Sequence, residues 1–324
     1  MPEPIQPIRD QLTDRRAKLE QALGGSPGDT HLSSLLAKVD AALERMDTGT
    51  YGLCETCKEP IEPDRLLADP LVCYCLDDMT PDEQRALEED LELARRIQGG
   101  LLPGPSLRVS GWEVVYHYEG AGPISGDYCD YLTSGKDLYF VVGDVSGKGV
   151  AASMLMAHLH ATFRILVSLN LPLDQIVERA SRMFCESTLP TYFATLVCGK
   201  AHDDGDVEIC NAGHNPPLVI KGSKLAGIDA TGLPLGMFCE ERFSITRVHL
   251  GAGDGLLIYT DGLSEALNRS DEQYGAERLS KVVSKNHAMS PQGLISVCVE
   301  DVNTFRAGAP RSDDLTIMVV RRLG

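Results

Sequence analysis

Five aspartates of this chain stand where an apolar run meets a turn, which is the placement that metal or acid-base chemistry needs. The plainest case is Tyr139 to Val150, YFVVGDVSGKGV. A β-branched and aromatic run stops at Asp144, and Gly143, Gly147 and Gly149 allow a sharp turn that leaves the carboxylate exposed before a helix begins. Upstream, PISGDYCDYL sets Asp127 after a glycine, with Asp130 three residues on. Downstream, GDGLLIYTDGLSEAL ends an apolar run at Asp261, and RSDDLTIMVVRR puts Asp313 and Asp314 just before another. One Asp-Gly at a strand end is ordinary turn chemistry. Four such places on separate strands can converge, and converging carboxylates repel one another unless cations lie between them. Hard ions such as Mg²⁺ or Mn²⁺ take oxygen ligands and keep several waters.

Rival chemistries fail on spacing. A phosphate-cradling loop is excluded because three residues separate Gly143 from Gly147, and Gly149 follows Lys148 where a Ser or Thr would be needed to reach Mg²⁺. No cysteine is followed by arginine six positions later, so a thiolate phosphatase is excluded. DDGDVE, Asp203 to Glu208, lacks the setting of an aspartyl nucleophile and reads as a hairpin turn between FATLVCGK and VEICNAG. NAGHNPPLVI places Asn211 and His214 in a turn marked by Gly and Pro, where His214 is either a general acid for a leaving oxygen or a structural part of the turn. His158 and His160 fall in the helical segment MLMAHLHATFRIL and read as packed or solvated.

The elements that must position these residues emerge from hydrophobic period. WEVVYHYE alternates as a strand, while Gly149 to about Leu169 reads as a helix with a stripe of Leu155, Leu159, Phe163 and Leu166. A shift of that helix would also move Asp144, and Met154 and Met156 suit a face that repacks. PQGLISVCVEDVNTFR reads as a helix covering a sheet. Near the N-terminus, residues 5–23 and 31–46 read as a short antiparallel helical hairpin, broken by GGSPGDT and capped at Asp29 or Thr30. A further helix from Thr80 to Leu102 starts with a Thr-Pro cap and Glu83, carries Leu87, Leu91, Ala94 and Ile97 on one face, and ends at Gly99, Gly100 and Pro103. It is either a solvated spacer or a surface for homodimerisation.

With 47 acidic against 30 basic residues the formal charge is −17, which argues against broad nucleic-acid binding and suits acids gathered around cations. No apolar run approaches the ~20 residues of a bilayer span, and MPEPIQPIRDQLTDRR lacks a secretory core. A cytoplasmic protein is expected, without a membrane partner. Ten cysteines then divide into a cluster, Cys54, Cys57, Cys73 and Cys75, which suggests metal, and six scattered ones expected to pack in the core.

Two family resemblances rest on these motifs. DTGTYGLCETCKEPIEPDRLLADPLVCYCLDD resembles the four-cysteine zinc finger of the DksA/TraR family: Cys54 and Cys57 match the first pair, Cys75 the third ligand, and Asp78 stands at the fourth. Zn²⁺ would be held by Cys54, Cys57, Cys75 and either Cys73 or Asp78, or the finger would fold without metal. That family implies contact with RNA polymerase, against which the short hairpin counts; a regulatory or dimerising head is the plainer expectation. Second, SGDYCDY, GDVSGKGVAAS, NAGHNPP, YTDGLSEA and DDLTIMVV, in this order, resemble the SpoIIE/RsbU branch of the PPM (PP2C-like) protein phosphatases, and LELARRIQGGLLP resembles the entry to that domain.

The second resemblance implies metal ligands at Asp127, Asp144, Asp261 and Asp313, two Mn²⁺ or Mg²⁺ ions bridged by Asp144, and help from the Val145 carbonyl. It also implies a hydroxide, bridging both ions, that attacks phosphorus in line without a phospho-enzyme, and a helical switch near the metal turn. The implied substrate is a phosphorylated anti-sigma-factor antagonist in a bacterial partner-switching pathway. The expected architecture is α+β: residues 1–79 a helical hairpin with a zinc-finger-like knuckle, 80–102 a linker helix, and 103–324 a PP2C-like α-β-β-α sandwich of two antiparallel sheets. The sequence leaves two other readings open, a transcription-associated regulator working through its finger and a metal-dependent phosphodiesterase.

Overall fold

Strand-period runs with both faces apolar dominate the second half of the chain, and such runs must be covered on both sides. The computed structural model describes residues 5–25, 30–75, 78 and 81–324, in two units, residues 1–90 and 91–324.

In the first unit, α1 (Ile5–Gly25) and α2 (Thr30–Thr48) form the hairpin, with Leu12, Val39 and Ala42 fully buried between them. Ion pairs of Arg9 with Asp47 and of Arg16 with Asp40 show that the helices run antiparallel. The cap expected at Asp29 lies outside the described residues; α2 begins at Thr30. A one-turn helix, α3 (Pro63–Ala68), comes after the first cysteine pair, and Cys54, Ile61 and Cys75 make a small core of their own.

Helix α4 (Pro81–Leu101) crosses from one unit into the other; its expected Thr80 cap is outside the described residues. It runs through Gly99 and Gly100 to Leu101, one residue short of the expected end at Leu102 and just before Pro103. Gln98, buried at 4% exposure, anchors this last turn.

The second unit holds eleven strands in two antiparallel sheets. In chain order they are β1 (Ser106–Val109), β2 (Trp112–Glu119), β3 (Asp127–Ser134), β4 (Asp137–Val145), β5 (Ala194–Ala201), β6 (Asp206–Ala212), β7 (Leu218–Lys221), β8 (Lys224–Gly227), β9 (Thr246–His249), β10 (Gly255–Tyr259) and β11 (Leu315–Arg322). One sheet has the order β1-β2-β11-β10-β7-β8 and the other β3-β4-β5-β6-β9. Trp112, Phe140, Val142, Ile258, Met318 and Val320 interdigitate between them.

Helices cover the outer faces, as the alternation along each strand requires. Val141 and Tyr139 point away from the other sheet, onto α5 (Gly149–Ser168) and α6 (Leu173–Ser187). Ile317 and Val319 point outward onto α8 (Ala276–Asn286) and α9 (Pro291–Arg306), with the short α7 (Asp261–Ser264) beside them. The result is a four-layer α-β-β-α sandwich. Helix α5 is long and apolar enough by composition to cross a bilayer, but Met156, Leu159 and Phe163 are buried against the sheet. The hairpin turn expected at Asp203 to Glu208 is shorter: β5 ends at Ala201 and β6 begins at Asp206, so Val207 and Glu208 already pair with Ala201 and Lys200.

One buried charge fixes α5 to this sheet. Asp130 on β3 has no exposed surface; both its oxygens accept from the Arg164 guanidinium at 3.0 Å, and the backbone NH of Tyr131 donates to Oδ1. His160 Nε2 stands 3.8 Å from the same carboxylate. Removing the half-exposed guanidinium would leave a buried carboxylate without its cation, which is costly, so the pair holds α5 in register on β3.

Candidate active site

Register alone brings the first two acids together. Asp127 opens β3, Asp144 is the last residue but one of β4, and the antiparallel pairing sets them directly opposite one another. Asp261 comes just after β10 and Asp313–Asp314 precede β11; these strands pair with Tyr259 opposite Ile317, so their acids also share one end. Two hydroxyls then tie the sheets at that end. Thr260 Oγ1 donates to Asp127 Oδ2 at 2.9 Å and Thr316 Oγ1 donates to the same oxygen at 2.5 Å. Thr260 Oγ1 in turn accepts from the Thr316 backbone NH at 2.9 Å.

The two adjacent acids near the C-terminus divide their tasks. Asp314 accepts from the backbone NH of Ala121 at 2.7 Å and of Gly126 at 2.9 Å, so its carboxylate folds the segment that leads into Asp127. Asp313 is free of such duties apart from the Asp314 NH at 3.0 Å, and Lys148 Nζ stands 3.2 Å from its Oδ2. Close backbone approach demands glycine at one position and leaves little room at a second. A Cβ at Gly262 would stand 1.9 Å from the Asp314 carbonyl oxygen, and one at Gly126 would stand 3.1 Å from the Val145 carbonyl oxygen. Val145 therefore lies in the same wall as Asp144.

Burial and like charge push these carboxyls up. Asp144 rises to about 7, first through burial and then through the charges of Asp261, Asp313 and Asp314, with Lys148 opposing. Asp127 lies well above the carboxylate range, through burial and then Asp144. Asp261 is raised by burial, then by Asp313 and Glu265. Acids packed in this way fit a group that brings positive charge and accepts oxygen donors, which is the chemistry of divalent cations. The carboxylates stand wider apart than the donors of the finger, which among the described residues form the only set of three or more such groups within 4.8 Å of one another.

His214 does not face this cleft as a free acid. It is 5% exposed; its Nδ1 is 2.8 Å from Thr195 Oγ1, its Nε2 is 3.1 Å from the Tyr259 carbonyl, and burial lowers it to about 4. The carbonyl can only accept, so Nε2 carries the proton and Nδ1 accepts from Thr195. That geometry favours the turn role over the general acid. Asn211 supports it, its Oδ1 accepting from the His214 NH at 2.8 Å.

Sequence reasoning missed four positioning side chains. Thr260 and Thr316 carried a signal, each lying within two residues of a cleft acid. Gln98 carried none: its Nε2 donates to the Ser125 carbonyl at 2.7 Å and to Ser153 Oγ at 3.0 Å, and its Oε1 accepts from the Ser125 NH at 3.0 Å. Ser125 Oγ accepts from the Asp127 NH at 3.1 Å, so α4 reaches the first acid through one serine. Asp130 was noted only as a companion of Asp127, and it serves α5 instead. Of the six scattered cysteines, Cys129, Cys198, Cys210 and Cys298 are buried as expected, but Cys185 and Cys239 are joined as a disulfide. Gly236 lies against Phe184 of α6, which brings the two sulfurs together across a separation of 54 residues.

In the first unit, the finger donors converge. Asp78 Oδ2 is 3.1 Å from Cys54 Sγ and 3.3 Å from Cys75 Sγ, and Cys57 Sγ is 3.6 Å from Cys75 Sγ. A tetrahedral ion with bonds of about 2.3 Å needs its donors about 3.8 Å apart, so Cys54, Cys57, Cys75 and Asp78 fit Zn²⁺. Cys73, the other candidate for the fourth place, is not in the set; its carbonyl accepts from the Glu55 NH at 2.8 Å.

The raised acids set a pH dependence. The folded chain holds the Asp144 proton more tightly than the unfolded chain does, so this stabilisation is complete below the ordinary carboxylate range and gone once the pH passes about 7. The melting temperature of metal-free protein falls as the pH is raised from about 5 to about 8, and saturating Mn²⁺ removes the slope. A flat metal-free profile in differential scanning fluorimetry would contradict the crowding of charge around Asp144.

Comparison with known proteins agrees with this geometry. Residues 134–323 match the family described as Stage II sporulation protein E (SpoIIE), and residues 49–77 match the prokaryotic dksA/traR C4-type zinc finger. Protein IcfG of Synechocystis sp. is 26% identical over 72% of this chain, which spans only 41% of that protein's length. Phosphoserine phosphatase RsbU of Bacillus subtilis is 22% identical, with 74% of this chain and 72% of the relative covered. Among solved structures, the RsbU and RsbW domains of a Mycobacterium tuberculosis protein superpose with a TM-score of 0.59 at 26% identity, covering 68% of this chain and 62% of that one. The SiaA-PP2C domain of Pseudomonas aeruginosa gives 0.66 at 16% identity, covering 74% and 98%. The sandwich is thus the PP2C fold. Because the family match runs over more than half of the chain and takes in Asp144, Asp261 and Asp313, the chain belongs to the SpoIIE family.

Proposed function

We propose that the chain is a metal-dependent protein phosphatase that removes phosphate from phosphoserine or phosphothreonine, with Asp127, Asp144, Asp261, Asp313 and the Val145 carbonyl holding two Mn²⁺ or Mg²⁺ ions. One observation carries this reading: acids from both sheets gather at one end of the sandwich, where burial first, and the charges of Asp261, Asp313 and Asp314 after it, raise Asp144 to about 7. Bound there, divalent cations supply a clamp for phosphoryl oxygens and water acidic enough to attack phosphorus. The chain's own part is to place Asp144 between the other acids, to hold Asp127 by Thr260 and Thr316, and to keep Asp314 out of ligation by tying it to backbone NH groups. His214 being buried with both ring nitrogens bonded, and no other histidine of the described residues being hydrogen-bonded to a cleft acid, solvent protonates the leaving oxygen.

The substrate proposed is a phosphorylated anti-sigma-factor antagonist in a partner-switching pathway, which is what the resemblance to the SpoIIE/RsbU branch implies; the names of RsbU and of RsbP of Bacillus subtilis support the coarser part, a phosphoserine phosphatase. The first unit serves as a regulatory head built on a Cys54-Cys57-Cys75-Asp78 zinc knuckle, and α4, with Leu93 and Ile97 exposed, offers a face for a second copy of the chain.

Full-length protein with Mn²⁺ hydrolyses a phosphoserine peptide, and Asp144→Ala or Asp261→Ala lowers turnover at least about a thousandfold. Retained activity in either variant, or activity on a phosphodiester with none on the peptide, would sink the reading. For the knuckle, atomic emission finds about one zinc per chain; Asp78→Ala loses it and Cys73→Ser keeps it. The reverse pattern would hand the fourth place to Cys73.

A further inference from the structure

Charge is not balanced at the cleft by the acids and their cations alone. Asp127, Asp144, Asp261, Asp313 and Asp314 offer five carboxylates. Two divalent ions offset four of them, and a phosphomonoester brings about two further negative charges at neutral pH. Something cationic must meet the incoming group.

Among the described residues, Lys148 is the only basic side chain in an ion pair with any of the five, its Nζ standing 3.2 Å from Asp313 Oδ2. The same ammonium donates to the Ser312 carbonyl at 2.6 Å. Its side chain is 62% exposed, so the charge sits at the solvent side of the acids rather than among them. Its backbone is tightly placed. Lys148 lies between Gly147 and Gly149, both at positive φ, in the turn that leaves Asp144 and opens α5. The two arginines that line a cavity with Asp313 are committed elsewhere: Arg311 is paired with Glu119, and Arg306 donates to the Ala309 carbonyl at 2.6 Å.

Resting on the phosphatase reading, we infer that Lys148 positions the substrate phosphate: its ammonium keeps the Ser312 carbonyl as one acceptor and gives a second N–H to a phosphoryl oxygen. An ammonium has three donors, so the two bonds do not compete. Charge-assisted bonds to phosphate are among the stronger ones, and a compact ammonium on a flexible stem suits a group that must track a moving phosphoryl oxygen. Lys148 thus recognises the dianion, while the acids recognise the cations.

The test uses full-length protein with Mn²⁺ and compares the parent with Lys148→Ala and Lys148→Arg. Three quantities are measured: phosphopeptide kinetics, calorimetric affinity for inorganic phosphate, and calorimetric affinity for Mn²⁺. The expected result for Lys148→Ala is a KM about tenfold higher and phosphate binding about tenfold weaker, with Mn²⁺ affinity close to that of the parent and part of the loss recovered in Lys148→Arg. If phosphate affinity is unchanged while Mn²⁺ affinity falls, Lys148 merely steadies Asp313 and the inference is overturned. An active parent with an indistinguishable Lys148→Ala also overturns it, leaving the phosphatase reading intact. A parent that hydrolyses no phosphopeptide removes both.

Discussion

A buried carboxylate oxygen shared by two threonine hydroxyls closes the end of this sandwich. Asp127 belongs to one sheet, Thr260 and Thr316 to the other, and the bonds among them allow no slack between the layers where the remaining acids gather. Each member needs the others. A buried carboxylate without donors is costly, and a threonine hydroxyl facing an apolar core without an acceptor is costly as well. The clasp therefore specifies one way of stacking the sheets, and that stacking delivers Asp261 and Asp313 to Asp144.

The clasp leaves the site under electrostatic load. Asp127 and Asp144 oppose one another across β3 and β4, a like-charge pairing that a sheet tolerates only for a purpose. Divalent cations at the proposed site would relieve that load and couple metal binding to local order. The wall reaches outward through Gln98 and Ser125 to α4, and through Arg164 and Asp130 to α5. A displacement of either helix must pass through a handful of named hydrogen bonds before it reaches an acid.

Much of this was legible in the chain itself. The apolar run ending at Asp144 and the Asp-Gly after β10 announce strand ends bearing acids, because strand period, turn glycine and carboxylate coincide within a few residues. The finger was legible for the same reason, its ligands being local in sequence. The partners that act across sheets were not. Thr260 and Thr316 look like ordinary strand residues until the sheets are stacked, Gln98 looks like the polar face of a charged helix, and Cys185 finds Cys239 only because α6 folds against the segment around Gly236. His214 was ambiguous since a turn histidine and a catalytic one have the same neighbours in sequence; burial and two bonded ring nitrogens separate them. The choice of Asp78 over Cys73 likewise needed the distances.

If carboxylates from the two sheets hold a pair of divalent ions at the mouth of the sandwich, crystals soaked in Mn²⁺ will reveal them by anomalous diffraction. Two peaks about 3.5–4 Å apart are expected, one on each side of Asp144, with Asp261 and Asp313 reaching them. No peak at that end of the sheets, or a single ion held away from Asp144, would contradict the two-ion site.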